Sequence, residues 1–381
     1  MDFSLSEEQK MLKTTLRDFA TKELEPVAAK VDETSAYPAE QVKKMAELGL
    51  MGLTIPEEYG GSGKGYIDFC IAVEELSRAS AGIAAYFRIS LSLAVPPILR
   101  FGTHEQKLKY LVPQSNGEKL ICFALTEAGA GSDPASLETT AVKKGNGYVL
   151  NGTKLFISIG GEAETIVVFT TVDKALRHKG ITAFIVEKGT PGFSVGKLEK
   201  KLGFHGLSAA ELIFQDCFVP EQNRLGKEGD GFKIALTSID ESRITVAAEA
   251  IGISQAALDA SVSYSSERKQ FGQRIANFQA IQWMLADMAT HIEAARQLTY
   301  YAAYLQDKDI PNVKESAMAK LFASEVSSYV TNKAIQIHGG YGYVRDYPLE
   351  RYLRDAKLTE IYEGTSEMMR MTIARALVGK G

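Results

Sequence analysis

The stretch Ile361-Tyr362-Glu363-Gly364-Thr365-Ser366-Glu367 sets a carboxylate between an aromatic ring and a glycine, just ahead of a new helical pattern. Two readings compete. Buried beside a substrate, a carboxyl group has its pKa raised toward working pH and acts as a general base on a weakly acidic proton. Gly364 would then let the chain turn tightly behind it. Left in water before a helix N-terminus, Glu363 is surface charge favoured by the helix dipole, and the local sequence alone favours this second reading.

Other chemistries find less support. In "ALTEAGAGSDP" the glycines Gly129 and Gly131 suggest a nucleotide turn, but Pro134 takes the third glycine position of a dinucleotide fingerprint and alternating βαβ units are missing. No Gly-Lys-Ser/Thr phosphate loop occurs. The run from Gly129 to Ser132 lets backbone amides approach an anion or a ring, or is merely a loop. Cys70, Cys122 and Cys217 are odd in number and widely spaced, which argues against a disulfide framework or a zinc site and fits a reducing compartment. His338 has no partner at metal spacing and reads as a packed structural residue, so no metal is expected.

Three regions must position these groups. From Leu5 to about Leu111 the pattern is helical, opening on Ser6 as the cap of "SEEQKMLKTTLRDFATKEL". Between about Lys119 and Pro220 the texture changes to short β-branched and aromatic runs such as "TIVVFTTV" and "ITAFIVE", separated by turn residues. In "GYVLNGTKLFIS" the pair Asn151-Gly152 predicts a two-residue hairpin turn. After the linker "LGKEGDGF" two long stripes return, one through Ile244, Ala248, Ile251, Gln255, Leu258 and Val262, the other from Ile281 to Leu305. With the segments Lys314 to Ile337 and Thr365 to Leu377 they predict an antiparallel four-helix bundle. The fold class expected is α+β and multi-domain: an N-terminal helical domain (1–118), a middle β-barrel or sandwich domain (119–226) and the bundle (227–381).

The 381 residues exceed the size of one core, and 43 Lys plus Arg against 47 Asp plus Glu leave a net charge of -4 without basic blocks. Nucleic acid is not an expected partner. No run approaches the roughly 18 consecutive apolar residues of a membrane span, and "MDFSLSEEQKML" shows no leader. The expected location is the cytoplasm, or the mitochondrial matrix if a leader was removed.

Five motifs, "LTEAGAGSDPASLETTA", "NGTKLFIS", "ERKQFGQRI", "QIHGGYGYVRDYPLERYLRDAKL" and "IYEGTSE", occur in an order and spacing that resembles the acyl-CoA dehydrogenase family, short-chain or butyryl-CoA type, over essentially the whole chain. The resemblance implies a homotetramer, a dimer of dimers, with FAD bound non-covalently. It implies α,β-dehydrogenation of an acyl-CoA to the trans-2-enoyl-CoA, as in fatty-acid β-oxidation. Glu363 would take the α proton, the β hydride would go to flavin N5, and electrons would pass to electron-transferring flavoprotein. The thioester oxygen would be held by the Glu363 amide and a flavin hydroxyl.

Residue by residue, the resemblance assigns Phe123, Leu125, Thr126, Ser132, Phe156, Ile157 and Ser158 to the flavin. Phe156 stands where a tryptophan is common, and an ordinary core aromatic is the alternative. Arg268, Phe271, Gln336 and Gly340 would hold the pyrophosphate and adenosine of a neighbouring subunit's cofactor, the Arg fork suiting pyrophosphate. Thr365 and Glu367 would approach it too, although Glu367 replaces an amide side chain often found there. Ser132, Asp240 and Arg243 match CoA contacts, with a plain bundle ion pair as the alternative for Arg243. Tyr362 and Gly364 would border the thioester. Relatives that carry the base on an earlier bundle helix have it where this chain has Ser242, and neighbouring Glu241 reads as a solvated face residue.

Arg88, in "AGIAAYFRISLSLAVPP", is unusual on so apolar a helix. Pointing inward it would shorten the acyl pocket or meet a polar acyl end, as an Arg one turn away does in glutaryl-CoA dehydrogenases; an Arg snorkelling outward is the more ordinary outcome. A short-chain or compact cyclic acyl-CoA is the expected substrate. An enoyl-CoA reductase in a flavoprotein complex, a glutaryl-type dehydrogenase, an acyl-CoA oxidase and a non-catalytic acyl-CoA-binding scaffold are the alternatives.

Overall fold

The computed structural model describes residues 4–379. Helix α1 (Glu7–Phe19) starts on Ser6, whose hydroxyl accepts from the Gln9 amide while the Gln9 side chain returns to the Ser6 amide. This reciprocal cap satisfies two donors that a helix start leaves orphaned. The chain runs on through α2 (Glu25–Thr34) and α3 (Ala39–Glu47) to α4 (Tyr66–Ile89), which bends at Ser80. It then widens into a π turn at Ser90–Ala94 and continues as α5 (Val95–Phe101) and the Thr103-capped α6 (His104–Ser115). The segment Tyr66–Phe101 is long and apolar enough to cross a membrane, yet most of its apolar stretch is buried inside the protein.

An eight-stranded sheet follows, made of β1 (Ile121–Ala124), β2 (Thr140–Lys144), β3 (Gly147–Ser158), β4 (Thr165–Thr171), β5 (Ile181–Glu187), β6 (Phe193–Leu198), β7 (Ala209–Pro220) and β8 (Arg224–Leu225). Its order is β6-β7-β3-β2-β4-β5-β8, with β1 lying parallel to β4. The hairpin expected at Asn151-Gly152 is not there. Both residues lie inside β3, where the register against β7 slips between Leu150 and Gly152. Asn151 is pinned by exchanging hydrogen bonds with Asp216. The turn falls instead between Lys144 and Gly147. A long partner strand absorbs the bulge, so the turn signal at Asn151-Gly152 is overridden.

The C-terminal part contains α7 (Gly231–Glu267), the short hairpin β9 (Lys269–Gln270) and β10 (Gln273–Arg274), α8 (Gln279–Asp307), α9 (Val313–His338), α10 (Leu349–Thr359) and α11 (Ser366–Val378). Helix α8 buries the inner part of its predicted stripe, from Met288 to Leu305. Helix α7 does more: every residue from Glu241 to Ser254 is buried, because α4 covers one side and α9 and α8 the others. A helix enclosed all round shows no single apolar stripe.

Candidate active site

Glu363 sits in the turn between α10 and α11, at φ 54°, with Gly364 at φ 101°. A left-handed glutamate is strained by roughly 1–3 kcal/mol and must be held by its surroundings. Position 364 favours glycine through its positive φ; a Cβ there would displace only the terminal methyl of Met369, 2.7 Å away. Two cations hold the turn's carbonyls. Arg243 Nε donates to Glu363 O at 3.3 Å and Lys320 Nζ to Gly364 O at 2.5 Å. Thr365 caps α11, accepting from the Met368 amide at 3.4 Å.

The Glu363 side chain is 5 % exposed, so the surface-charge reading of the local sequence is overturned. Its Oε1 accepts from Arg88 Nη1 at 2.9 Å and its Oε2 from the Ser242 hydroxyl. Ser242 Oγ lies 3.0 Å from Ser92 Oγ in the π turn. Arg88 does not snorkel: it is fully buried and turned inward. Its Nε donates to Glu249 Oε1 at 3.0 Å and its Nη2 to the Tyr362 hydroxyl at 2.7 Å. Tyr362 in turn donates to Glu249 Oε2. Burial works against the Arg88 charge, but Glu249, Tyr362 and Glu363 outweigh it and raise the arginine's pKa further. Burial pushes Glu249 up, with Arg88 and Tyr362 opposing, and pushes the Tyr362 hydroxyl well above its usual range.

Glu249 was not among the residues singled out from sequence. The available signal was a lone acid amid Ala, Ile and Gly at the middle of α7, two turns beyond Ser242, matched by a lone Arg in the equally apolar last two turns of α4. Glu241 does point away from Glu363, but it is not solvated. It is 7 % exposed and accepts from Tyr66 Oη at 3.0 Å and Arg100 Nη2 at 2.7 Å. Arg243 is buried too, and besides the Glu363 carbonyl it meets Asp240 three residues earlier on α7.

On the sheet, Phe156 occupies φ 58° and is 60 % exposed, an aromatic ring held out from the protein where β3 bulges a second time. Beneath it Lys154 is fully buried, donating to Leu125 O at 3.0 Å and pairing with Glu127. Leu155 N bonds Thr126 O at 2.9 Å, so the 125–127 loop is stitched to β3. Thr126 and Ser158 are half-buried and Ser132 is exposed, whereas the side chains of Phe123, Leu125 and Ile157 belong to the core. Phe123 packs on Phe169 with ring centroids 4.6 Å apart. An exposed ring beside backbone and hydroxyl groups suits a flat heteroaromatic ligand.

A second set gathers where α7 and α9 end. A cavity of about 590 Å³ is lined by Tyr264, Arg268, His338, Gly339 and Gly340 among others. Arg268 lies over the Tyr341 ring, and a Cβ at Gly339 or Gly340 would meet nothing within 4 Å, so the cradle is open at its glycines. An arginine fork over aromatic walls suits a nucleotide diphosphate. His338 stacks on Tyr264 at 4.2 Å and bonds the Ala334 carbonyl. Phe271 is 92 % exposed on the β9–β10 hairpin, and Gln336 and Glu367 are exposed. The cavity shares no lining residue with the Glu363 turn.

Comparison with known proteins covers nearly the whole chain. Residues 6–118, 122–217 and 229–378 match family models described as the N-terminal, middle and C-terminal domains of acyl-CoA dehydrogenase. A protein of Anaerotignum propionicum called acryloyl-CoA reductase (NADH) is 55% identical over 380 residues, 99% of this chain and 96% of that one. A chain solved in work on the electron transferring flavoprotein of Acidaminococcus fermentans and flavin-based electron bifurcation superposes with a TM-score of 0.98 at 51% identity, covering 100% of both. Butyryl-CoA dehydrogenase of Megasphaera elsdenii superposes with a TM-score of 0.97 at 46% identity, covering 99% of this chain and 100% of that one.

Proposed function

The chain belongs to the acyl-CoA dehydrogenase family, and from that premise we propose that it interconverts a short-chain acyl-CoA and its 2-enoyl-CoA, with Glu363 as the base. It is an FAD-dependent oxidoreductase of acyl-CoA dehydrogenation with onward electron transfer. The observation that carries the assignment of the base is a carboxylate buried in a strained turn, aimed by Arg88 and Ser242.

FAD fits the two sets of residues. Phe156, Thr126 and Ser158 would face its ring system, and Arg268 with Gly340 would hold the diphosphate of a cofactor. Because the Arg268 cavity is separate from the Glu363 turn within one chain, the reading includes a neighbouring subunit that completes each site, in a homotetramer. Bound FAD supplies the acceptor for the hydrogen and electron pair leaving the β carbon. Glu363 accepts the α proton at a carboxylate oxygen, its amide polarises the thioester carbonyl, and burial of the turn keeps water from competing for that proton. Arg243 and Lys320 hold the turn that places both groups.

The substrate class follows from Arg88. Its three nitrogen positions already serve Glu249, Glu363 and Tyr362, so Arg88 offers no unpaired charge to a carboxylated acyl end, and a short uncharged acyl group is favoured over a glutaryl type. Electron-transferring flavoprotein is the proposed electron partner and the cytoplasm the proposed location. A second reading runs the chemistry toward the saturated acyl-CoA, with Glu363 as proton donor; it is favoured by the name of the Anaerotignum relative.

The test is anaerobic addition of propionyl-, butyryl-, isobutyryl-, cyclic and glutaryl-CoA to the holoenzyme while following flavin absorbance. Bleaching by a short acyl-CoA, lost in Glu363→Gln, is the expected result. Bleaching retained in the variant would remove Glu363 from the role of base. Oxidation of NADH by an enoyl-CoA in the presence of the flavoprotein partner would mark the reductive direction.

A further inference from the structure

Two opposite charges stand alone in apolar stretches of their helices, Arg88 in residues 82–89 of α4 and Glu249 in residues 244–258 of α7, and both side chains are fully buried. Burying such a pair is costly, and apolar side chains of similar volume would pack the same space as well or better. Packing is therefore a poor reason for the pair. The geometry ties it instead to the base. One guanidinium is divided between Glu249 and Glu363, and Tyr362 closes the ring by accepting from Arg88 and donating to Glu249. An arginine fork with donors in fixed directions can fix the plane of a carboxylate, which a lysine cannot do. Glu249, on the opposite side, fixes the fork.

We propose that Arg88 and Glu249 are a positioning pair for the reaction: Arg88 aims the Glu363 carboxylate and keeps a cation beside it, while Glu249 locks the Arg88 side chain and tempers its charge. The inference rests on Glu363 being the base. The other charged groups around Glu363 are Arg243 with its partner Asp240 on α7, Lys320 on α9, and Glu360 and Glu367 on the flanks of the turn. All of them stay in place in the variants below, so any change between variants belongs to the pair.

The experiment compares the holoenzyme with Glu249→Gln, Arg88→Lys and the double variant Arg88→Met/Glu249→Gln, which removes both members of the pair and leaves Glu363 the Ser242 hydroxyl as its side-chain partner. Two readouts are taken across pH: kcat and KM for butyryl-CoA, and exchange of its α protons in deuterium oxide. Glu249→Gln removes a negative charge and keeps the cation, so the acidic limb of both profiles moves to lower pH. The double variant removes both charges, and because the cation is the one in direct contact with Glu363 the limb moves up, by less than the roughly one to three pH units that loss of a cation alone would give. In the double variant kcat falls and KM changes little, and Arg88→Lys shows a smaller loss of kcat.

Profiles that coincide with wild type in both charge-altering variants would overturn the inference. A KM that rises with acyl length at an unmoved limb would also overturn it, making Arg88 a wall of the acyl pocket. Retention of α-proton exchange in Glu363→Gln would instead defeat the assignment of the base, a failure visible separately from that of the pair.

Discussion

Lys320 Nζ lies 2.5 Å from the carbonyl oxygen of Gly364, so a fully buried side chain on α9 grips the backbone immediately after the proposed base. Burial, with Arg243 adding to it, pushes the Lys320 pKa down to about 8 against the pull of Glu363. Between pH 8 and the usual lysine value near 10.4 the unfolded chain holds a proton that native Lys320 has lost, so stability rises with pH across that window. Below pH 8 the full cost of the buried charge is present.

Lys320→Met should therefore be at least as stable as wild type at pH 7, with its advantage in Tm shrinking from pH 8 to 10. Its kcat should fall by up to about 10²-fold, the scale expected when loss of a supporting contact lets a reacting group drift by about 1 Å. Thermal unfolding and steady-state kinetics on the same preparations check both. A lower Tm at pH 7 would mean that the Gly364 bond outweighs the cost of burial.

Glu363→Gln preserves shape and one carbonyl oxygen for Arg88 or Ser242, but it cannot take a proton. Reduction of the flavin by butyryl-CoA should slow by about 10²–10⁴-fold with the visible spectrum of the resting enzyme nearly unchanged. Stopped-flow absorbance without oxygen measures it.

The Lys154–Glu127 pair supports the flavin-facing loop. Burial opposes the charge on Glu127, but Lys154, Thr139 and the Glu138 amide outweigh it and hold the carboxyl below its usual range. Glu127→Gln leaves Lys154 buried without its counter-charge. Loss of about 3–5 kcal/mol is expected, together with weaker FAD retention, read by denaturant titration and by flavin content after gel filtration. Glu127→Gln/Lys154→Met should recover most of the stability.

Asp355 accepts from the Phe204 amide at 2.6 Å, in a site so buried that its pKa rises to about 7, with Asp32 adding to the effect. Native Asp355 thus holds a proton between about pH 4 and 7 that the unfolded chain has released, and stability falls as pH rises through that window. Asp355→Asn keeps an acceptor without the charge. It should be more stable than wild type by about 4 kcal/mol at pH 8, with the gain gone near pH 4. Chemical denaturation at the two pH values decides it.

Much of this protein is written locally. The caps at Ser6 and Thr103 need only a hydroxyl and a Gln three residues on, and both form as the chain order dictates. The β texture and the long C-terminal helices follow from residue type and period, and the Glu363-Gly364 turn is marked by its glycine. Local signals fail where a distant partner has the stronger claim. Asn151-Gly152 has the composition of a hairpin turn, but pairing with β7 keeps it in a strand. Helix α7 reads as one-sided, yet neighbours cover its middle, Glu241 to Ser254, all round, while Val262 at the far end of the predicted stripe is exposed.

The charge environment of the candidate base was decided only in three dimensions. Arg88 and Glu249 are 161 positions apart, and Arg88 and Glu363 are 275 apart, so a lone charge in an apolar stretch marks each site while its neighbourhood does not name the partner. Glu241, one residue from Ser242, meets Arg100 and Tyr66 instead. Sequence determined which residues could carry charge and where the chain could turn. Which charges lose their water, and which partner each then takes, depends on how α4, α7 and α9 pack around the turn, because desolvation and pairing belong to the assembled interior and not to any one segment.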